Sequence, residues 1–282
     1  MRKNKTIFIL AVALAVAAGF ALYTQKHGII DTVGSSVGVS AGQAILIDAD
    51  TGKALYEKYA DEKTYPASTT KIMTALITLE TLEKYGSPIE QKKTVPQAAE
   101  GIEGSSLYLK AGEKISIEDL LYGLMLVSGN DSAVALAELI GGDQQTFVDM
   151  MNERAEELGC KGTHFVNPNG LFDEDHYTTA RDMSLIAQEA MKHEAFRKIV
   201  ATKDWKADRE DSTYITFHNK NKTVNQYEGG NGIKIGFTKS SGRTLVASAT
   251  RGGKTMIAVV MSAPDWFNDA YMLMDFGFEK TQ

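Results

Sequence analysis

Cysteine is almost missing from this chain. Cys160 is the only one in 282 residues, so no internal disulfide and no cysteine-rich metal site can form. The histidines (His27, His164, His176, His193 and His218) never fall into H-E-x-x-H or another ligand spacing. Basic excess is also lacking. Lys and Arg total 30 against 36 Asp and Glu, a net charge of -6. Without Arg2, Lys3 and Lys5 the remainder is more acidic still, which excludes nucleic acid as a partner because phosphate binding needs a basic patch. The triplet Asp50-Thr51-Gly52 has no second copy, so aspartic-protease chemistry is excluded, and Asp48, Asp50 and Gly52 miss EF-hand spacing. There are no repeats and no low-complexity runs. Against these absences, 43% of the residues are hydrophobic and 23% charged, enough to bury a core and too apolar for a disordered chain.

One long apolar run is present. Residues 1–6 are basic and polar, and residues 7–23 carry no charge. This pattern reads as a signal peptide or an N-terminal membrane anchor, at the short limit of the roughly 17–25 residues a spanning helix needs. Gly19 and Ala21 offer a weak cleavage site, and no Cys follows for a lipid anchor. Either reading places the body outside the cytoplasmic membrane, with membrane contact only through this segment. Residues 24–40 read as a linker and 41–282 as one folded domain, with a sheet part at 41–88 and 201–282 and a helical part at 89–200.

Within the body, GQAILIDADTGKALYEKYA reads as strand, tight turn, strand. Residues 68–84 repeat apolar positions at helical steps, and Gly86 and Pro88 stop that helix. IEDLLYGLMLV, DSAVALAELIG, QQTFVDMMNERAEELG and ARDMSLIAQEAMKH follow as helices. Strand patterns return near residue 213 with TYITFH, GIKIGFT, RTLVASAT and TMIAVVMSA, and residues 265–279 form a closing helix. The fold class is α+β: a sheet with N- and C-terminal helices, interrupted by a helical block.

Three short motifs carry chemistry. Ser68-Thr69-Thr70-Lys71 opens the first long helix, so Ser68 and Lys71 share a face. A serine needs a base to become a nucleophile, and a buried lysine with a depressed pKa can be that base. Taken alone, the spacing favours an N-capping serine with a solvated lysine one turn on. Ser128-Gly129-Asn130 precedes a helix, where a proton relay and an amide grip compete with an ordinary cap. Lys234-Ile235-Gly236 lies in a strand, where Gly236 lets another backbone come close. The bland reading of Lys234 is a charge guarding an edge strand.

Together, in this order, the motifs resemble those of the penicillin-recognising serine enzymes: S-x-x-K, S-x-N and K-T-G. Within that group the chain is similar to the serine-type D-alanyl-D-alanine carboxypeptidases (low-molecular-mass penicillin-binding proteins, peptidase S11-like). PASTTKIMTA, LMLVSGNDSAVALAE, THFVNPNGL, YTTARDMSLIA and GIKIGFTKSSGRTLVASA carry the likeness. The resemblance implies a β-lactamase/transpeptidase-like antiparallel sheet with an inserted helical subdomain. It implies peptidoglycan stem peptides and β-lactam antibiotics as partners, and an acyl-enzyme mechanism without metal or cofactor.

By that resemblance Ser68 attacks the penultimate D-alanine carbonyl and Lys71 takes its proton. Ser128 passes a proton to the departing amine, and Asn130 holds the substrate amide. Lys234 holds the terminal carboxylate and keeps Lys71 neutral. Gly236, Phe237 and Thr238 line the substrate strand, with the N–H groups of Ser68 and Phe237 as the oxyanion hole. Two features depart from the family pattern. Ile235 replaces the usual hydroxyl residue of the third motif, with Thr238 or Arg243 as possible substitutes, and no C-terminal β domain is expected. A class A β-lactamase would need S-D-N and an E-x-x-x-N segment between 160 and 180, and neither exists. A non-catalytic penicillin sensor stays open because of Ile235, as does transpeptidation as a side activity.

Among the remaining residues, Asn167, Asn169 and Gly170 read as turn chemistry, His176 as a loop histidine bonded to backbone and Cys160 as a small apolar filler. Arg181 reads as the partner of an acidic neighbour.

Overall fold

A computed structural model describes residues 37–210 and 212–281. The apolar segment at 1–23 and most of the expected linker lie outside the described residues. Strands β1 (Gln43–Asp48) and β2 (Ala54–Lys58) form the first hairpin. Asp48 holds its turn by accepting the Asp50 and Thr51 N–H groups, each at 3.0 Å. A 3-10 turn (Ala67–Thr70) leads into α1 (Lys71–Tyr85).

The helical block begins with a small ribbon of β3 (Lys92–Thr94) and β4 (Lys114–Ser116). Helices α2 (Ile117–Tyr122), α3 (Asn130–Gly141), α4 (Gln144–Glu157), α5 (Ala180–Ala190) and α6 (Glu194–Ala201) follow. After the β5 (Asp204–Lys206) and β6 (Thr216–His218) ribbon comes the short α7 (Thr223–Gln226). Strands β7 (Gly230–Thr238), β8 (Gly242–Arg251) and β9 (Lys254–Met261) and helix α8 (Trp266–Lys280) complete the chain.

The main sheet is antiparallel with strand order β2-β1-β9-β8-β7. Both faces are covered, and the period of two sorts side chains between them. Leu46, Leu245, Ala247 and Val260 pack under Leu273 and Met274 of α8. Ile45, Ile47, Ile257 and Val259 face the larger core with Ile72 and Leu76 of α1 and Ile186 of α5. This is the α+β arrangement that the strand and helix patterns imply.

The structure differs from the sequence reading in two places. TYITFH is a strand only over Thr216–His218, and it pairs with β5 rather than joining the main sheet. Alternation marks a strand without naming its partner. Here aromatic packing decides: Trp205 stacks on Tyr122 at 3.7 Å and donates to Asp119 Oδ1 at 2.7 Å, while Phe217 is fully buried. The ribbon therefore belongs with the helical block. The second difference is LLYGLMLV, which ends in a π-turn over Gly123–Val127, a local device common at functional sites.

Candidate active site

Ser68 and Lys71 lie at the junction of the 3-10 turn and α1. Residues three apart eclipse on a 3-10 turn, so the spacing works here through that geometry rather than through an α-helical start. Ala67, just before Ser68, has φ +48°, a strained value for a residue with a Cβ. The turn is stitched by Thr69 Oγ1 donating to Pro66 O at 2.7 Å and Thr70 Oγ1 to Ala67 O at 2.8 Å. Lys71 is fully buried. Its Nζ lies 3.0 Å from Ser68 Oγ, 2.7 Å from Asn130 Oδ1 and 2.5 Å from Asn169 O.

The π-turn delivers Ser128 in the left-handed conformation, φ +69°, and Asn130 then opens α3. The Ser128 hydroxyl makes no hydrogen bond among the described residues. Asn130 is gripped by the preceding loop: its N–H donates to Ser105 O and its Nδ2 to Glu103 O, both at 2.7 Å. The buried Asp131 carboxylate holds that loop. It accepts the N–H groups of Leu107 at 2.8 Å, Leu109 at 3.1 Å and Ser132 at 2.9 Å, and the Ser106 hydroxyl at 2.6 Å.

Strand β7 closes the third side. It is an edge strand, as the bland reading has it, but the Lys234 side chain is buried instead of guarding the edge. Gly236 has a steric reason. A Cβ there would stand 2.5 Å from Thr244 Oγ1 and 2.9 Å from Ser68 N, so only glycine lets β7 reach the Ser68 turn. Phe237 is 63% exposed at the mouth, and Thr238 Oγ1 is engaged with Ser241 Oγ at 2.8 Å. Ile235 pairs across the strands with Leu245 and packs into the cluster under α8.

Three lysines meet here without a counter-ion: no carboxylate of the described residues forms an ion pair with Lys71, Lys220 or Lys234. Lys220 donates from Nζ to Val127 O at 3.0 Å, beside Ser128. Burial first, then the charge of Lys234, hold Lys71 well below the usual lysine range; Asp131 opposes this and Lys220 adds to it. Burial, followed by Lys220, brings Lys234 down to about 7. A fully buried lysine with a depressed pKa, touching a serine hydroxyl, is equipped to accept a proton.

The family model described as D-alanyl-D-alanine carboxypeptidase matches residues 31–265. The chain belongs to this family. It is 38% identical over 250 residues to the D-alanyl-D-alanine carboxypeptidase DacF of Bacillus subtilis (strain 168), covering 87% of this chain and 64% of that relative. The D-alanyl-D-alanine carboxypeptidase of Streptomyces sp. (strain K15) is 37% identical over 258 residues, covering 85% of this chain and 88% of that one. This chain thus spans just under two thirds of the Bacillus relative and most of the Streptomyces one. The crystal structure of the Streptomyces K15 DD-transpeptidase superposes with a TM-score of 0.80 at 34% identity, over 87% of this chain and all of that one. The transpeptidase-like fold expected from the motifs is the fold observed.

In this D-alanyl-D-alanine carboxypeptidase family member, Ser68 and Asn130 stand within 3.0 Å of Lys71 Nζ, Gly236 lies against the Ser68 turn, and the charge of Lys234 reaches Lys71. The structure also brings in residues that the sequence reading left out or gave another role. Asn169, read as turn chemistry, contributes its carbonyl, which no side-chain pattern announces. Lys220 and Asp131 belong to none of the three motifs. His176 is bonded to backbone as expected, and it also grips Thr70.

Arg181 pairs with Asp61 at 2.7 Å and Glu57 at 2.8 Å. Cys160 is half-buried, with burial pushing its thiol up to about 12, which leaves it inert. Among the described residues, one group (Glu80, Glu189 and His193) brings three ligand atoms within 4.8 Å. Arg154 already bonds Glu80 at 2.8 Å and Glu189 at 3.3 Å, so their charge is met by an ion-pair network.

Proposed function

We propose that this protein is a serine-type D-Ala-D-Ala carboxypeptidase that removes the terminal D-alanine of peptidoglycan stem peptides and is acylated by β-lactams. The observation that carries this reading is the setting of Lys71 Nζ. Asn130 Oδ1 and Asn169 O can only accept, so they take the two hydrogens of a neutral amine. The lone pair is then left facing Ser68 Oγ at 3.0 Å.

The reaction follows from that placement. The free edge of β7 offers backbone groups to an extended stem peptide. Lys234 draws in its terminal carboxylate, next to Gly236, Phe237 and Thr238. Asn130 keeps a second Nδ2 hydrogen for a substrate carbonyl. Ser68 Oγ bonds to the penultimate D-alanine carbonyl carbon as its proton passes to Lys71. The oxyanion is met by the Ser68 and Phe237 N–H groups, the former at the head of a turn where N–H groups lack intrahelical acceptors. The peptide C–N bond breaks, and the unpartnered Ser128 hydroxyl hands a proton to the leaving amine while regaining one from Lys71. Water then cleaves the ester, releasing the shortened peptide and restoring Ser68. A β-lactam enters by the same first step and stays on Ser68.

Residues 1–23 support action outside the cytoplasmic membrane, the compartment of the stem peptides. No helix of the described residues is long and apolar enough to cross a membrane. Ile235 favours a second reading, a penicillin sensor that acylates without turning over peptide. One experiment separates the two: a pentapeptide ending in D-Ala-D-Ala is incubated with the protein and free D-alanine is assayed, alongside labelled penicillin. Release of D-alanine together with labelling that is lost in Ser68→Ala supports the carboxypeptidase. Labelling without release supports the sensor, and undiminished labelling of Ser68→Ala refutes both.

A further inference from the structure

Residues 163–178 lie over the nucleophile turn. Thr74 Oγ1 donates to Pro168 O at 2.6 Å, and Asn169 O sits on Lys71. At Gly170, φ +82°, a Cβ would stand 1.9 Å from Ala67 O, so the two backbones are in direct contact. His176 brings the segment back to the turn. It is 2% exposed and packs edge-on against Phe165.

Two hydrogen bonds fix the state of its ring. The Val166 N–H donates to Nδ1 at 3.1 Å, which requires a lone pair there. Nε2 lies 2.8 Å from Thr70 Oγ1, whose single hydrogen already goes to Ala67 O. Nε2 must therefore be the donor. Both ends demand the same neutral, Nε2-protonated imidazole. Burial holds the ring's pKa down to about 4, with Asp173 opposing and His164 and Lys71 adding, so this form persists at neutral pH. A continuous path results: Val166 N–H to His176, His176 to Thr70, Thr70 to the strained Ala67 carbonyl beside Ser68.

We propose that His176 is a positioning residue of the acylation site: its Nε2-protonated ring ties the 163–178 segment to the Ala67–Lys71 turn through Thr70. That tie sets both ends of the Lys71 amine's grip, Ser68 on the turn and Asn169 on the segment. The proposal rests on the function proposed above, since it assigns a role in that reaction.

The test measures the acylation rate constant with labelled penicillin per titratable active site, for wild type, Thr70→Val, His176→Phe, their double variant and His176→Gln. A misplacement of about 1 Å can cost 10²-fold, so Thr70→Val and His176→Phe should each slow acylation per site by roughly 10–100-fold. The double variant should be no slower than the slower single by more than about threefold, because both changes cut one path. Gln keeps an amide N–H for Thr70 and should recover most of the rate. A merely structural histidine would lower the number of active sites or the melting temperature and leave the rate per site unchanged; that result in both single variants overturns the proposal. Thr70→Val is nearly isosteric and carries the test if His176→Phe fails to fold. A long-range proton–nitrogen spectrum at pH 7 should show His176 protonated at Nε2 alone, and protonation at Nδ1 overturns the proposal on its own. If the wild type takes up no penicillin, the proposed function fails, and the spectrum still decides the state of His176.

Discussion

Lys71 Nζ and the carbonyl oxygen of Asn169 stand 2.5 Å apart across 98 positions of sequence. A backbone carbonyl accepts a hydrogen bond but carries no full charge, so it favours the protonated amine far less than a carboxylate would, and burial and Lys234 keep the amine neutral. The same amine has Lys234 for an electrostatic neighbour and burial on every side. Grip and neutrality come from separate groups, and each can be removed separately.

Lys71→Met should therefore have opposite effects on rate and on stability at acidic pH. Removing a general base typically costs ~10²–10⁴-fold, so penicillin labelling should slow by about that much. Folding must strip the proton from Lys71, a cost that grows as pH falls, so Met should raise unfolding free energy at acidic pH, offset by about 1–3 kcal/mol for each acceptor, Asn130 Oδ1 and Asn169 O, left without its donor. Stopped labelling kinetics and urea titration read the two. A rate loss under about tenfold would assign the base to another group.

Lys234 should make stability rise with pH. Its folded pKa is about 7 against 10.5 for a free lysine. Between those values the unfolded chain binds more protons than the folded one, so unfolding free energy increases with pH through that window. The penalty of the buried charge is fully present below about pH 7 and is relieved as pH climbs. Lys234→Met should flatten the curve between pH 7 and 10 in denaturant titrations. An equally steep curve in that variant would mean other groups dominate.

Lys220 contributes positive charge to both buried lysines. Lys220→Met should raise the pKa of Lys71 and Lys234, moving the alkaline rise of the acylation rate to higher pH. A profile of labelling rate from pH 5 to 10 reads the shift; movement towards acid would contradict the electrostatic assignment.

The sequence made some of this arrangement visible and hid the rest. Ser68 and Lys71 are legible because residues three apart share a face of a helical turn, although the spacing alone does not tell a buried pair from a capping serine with a solvated lysine. Gly236 is legible because a glycine inside a strand marks close approach. The strand and helix patterns from Gln43 to Lys280 locate the sheet, since both its faces are buried and its turns carry Asp, Gly and Ser. Asn169 was hidden because the group that matters is its carbonyl, which every residue has. Lys220 was hidden because its effect acts through space rather than along a motif. His176 showed only its backbone bond; its second partner, Thr70, is 106 positions away. The partner of β6 was hidden because alternation gives a strand's face and not its neighbour.

Ile235 sits at the open edge of β7, half-buried against Leu245. A hydroxyl-to-carboxylate hydrogen bond is worth about 1.5–3 kcal/mol. Ile235→Thr should thus raise kcat/KM for D-Ala-D-Ala peptides by roughly 10–100-fold and leave analogues with an amidated terminus unchanged. It should also lower stability by about 1 kcal/mol through lost packing. Thr238 is engaged with Ser241, and Arg243 donates to Pro264 O at 2.8 Å, which leaves neither hydroxyl nor guanidinium wholly free to substitute. A neutral Ile235→Thr with a severely impaired Arg243→Ala would reverse this reading.

Asp131→Ala should loosen the loop that holds Asn130. It strips acceptors from the buried N–H groups of Leu107 and Leu109, and each unsatisfied group costs about 1–3 kcal/mol. A stability loss of roughly 3 kcal/mol or more is expected in denaturant titration. Slower penicillin labelling should accompany it, because Asn130 loses its grip on Lys71. A stable variant that labels normally would remove Asp131 from the account.

The seam between β1 and β9 governs how this molecule comes into being. Gln43 lies opposite Met261, so the first strand of the sheet waits for the last. The Ser68 turn leans on Gly236, made long after it. Closing so long a loop adds little to the equilibrium cost but slows the search, and no partial chain ending before β7 contains a complete site. A chain threading through a membrane from its N-terminus would carry an unassembled, harmless Ser68 until its final strands arrive. On the export route proposed above, the site would therefore complete only once the last strands have crossed.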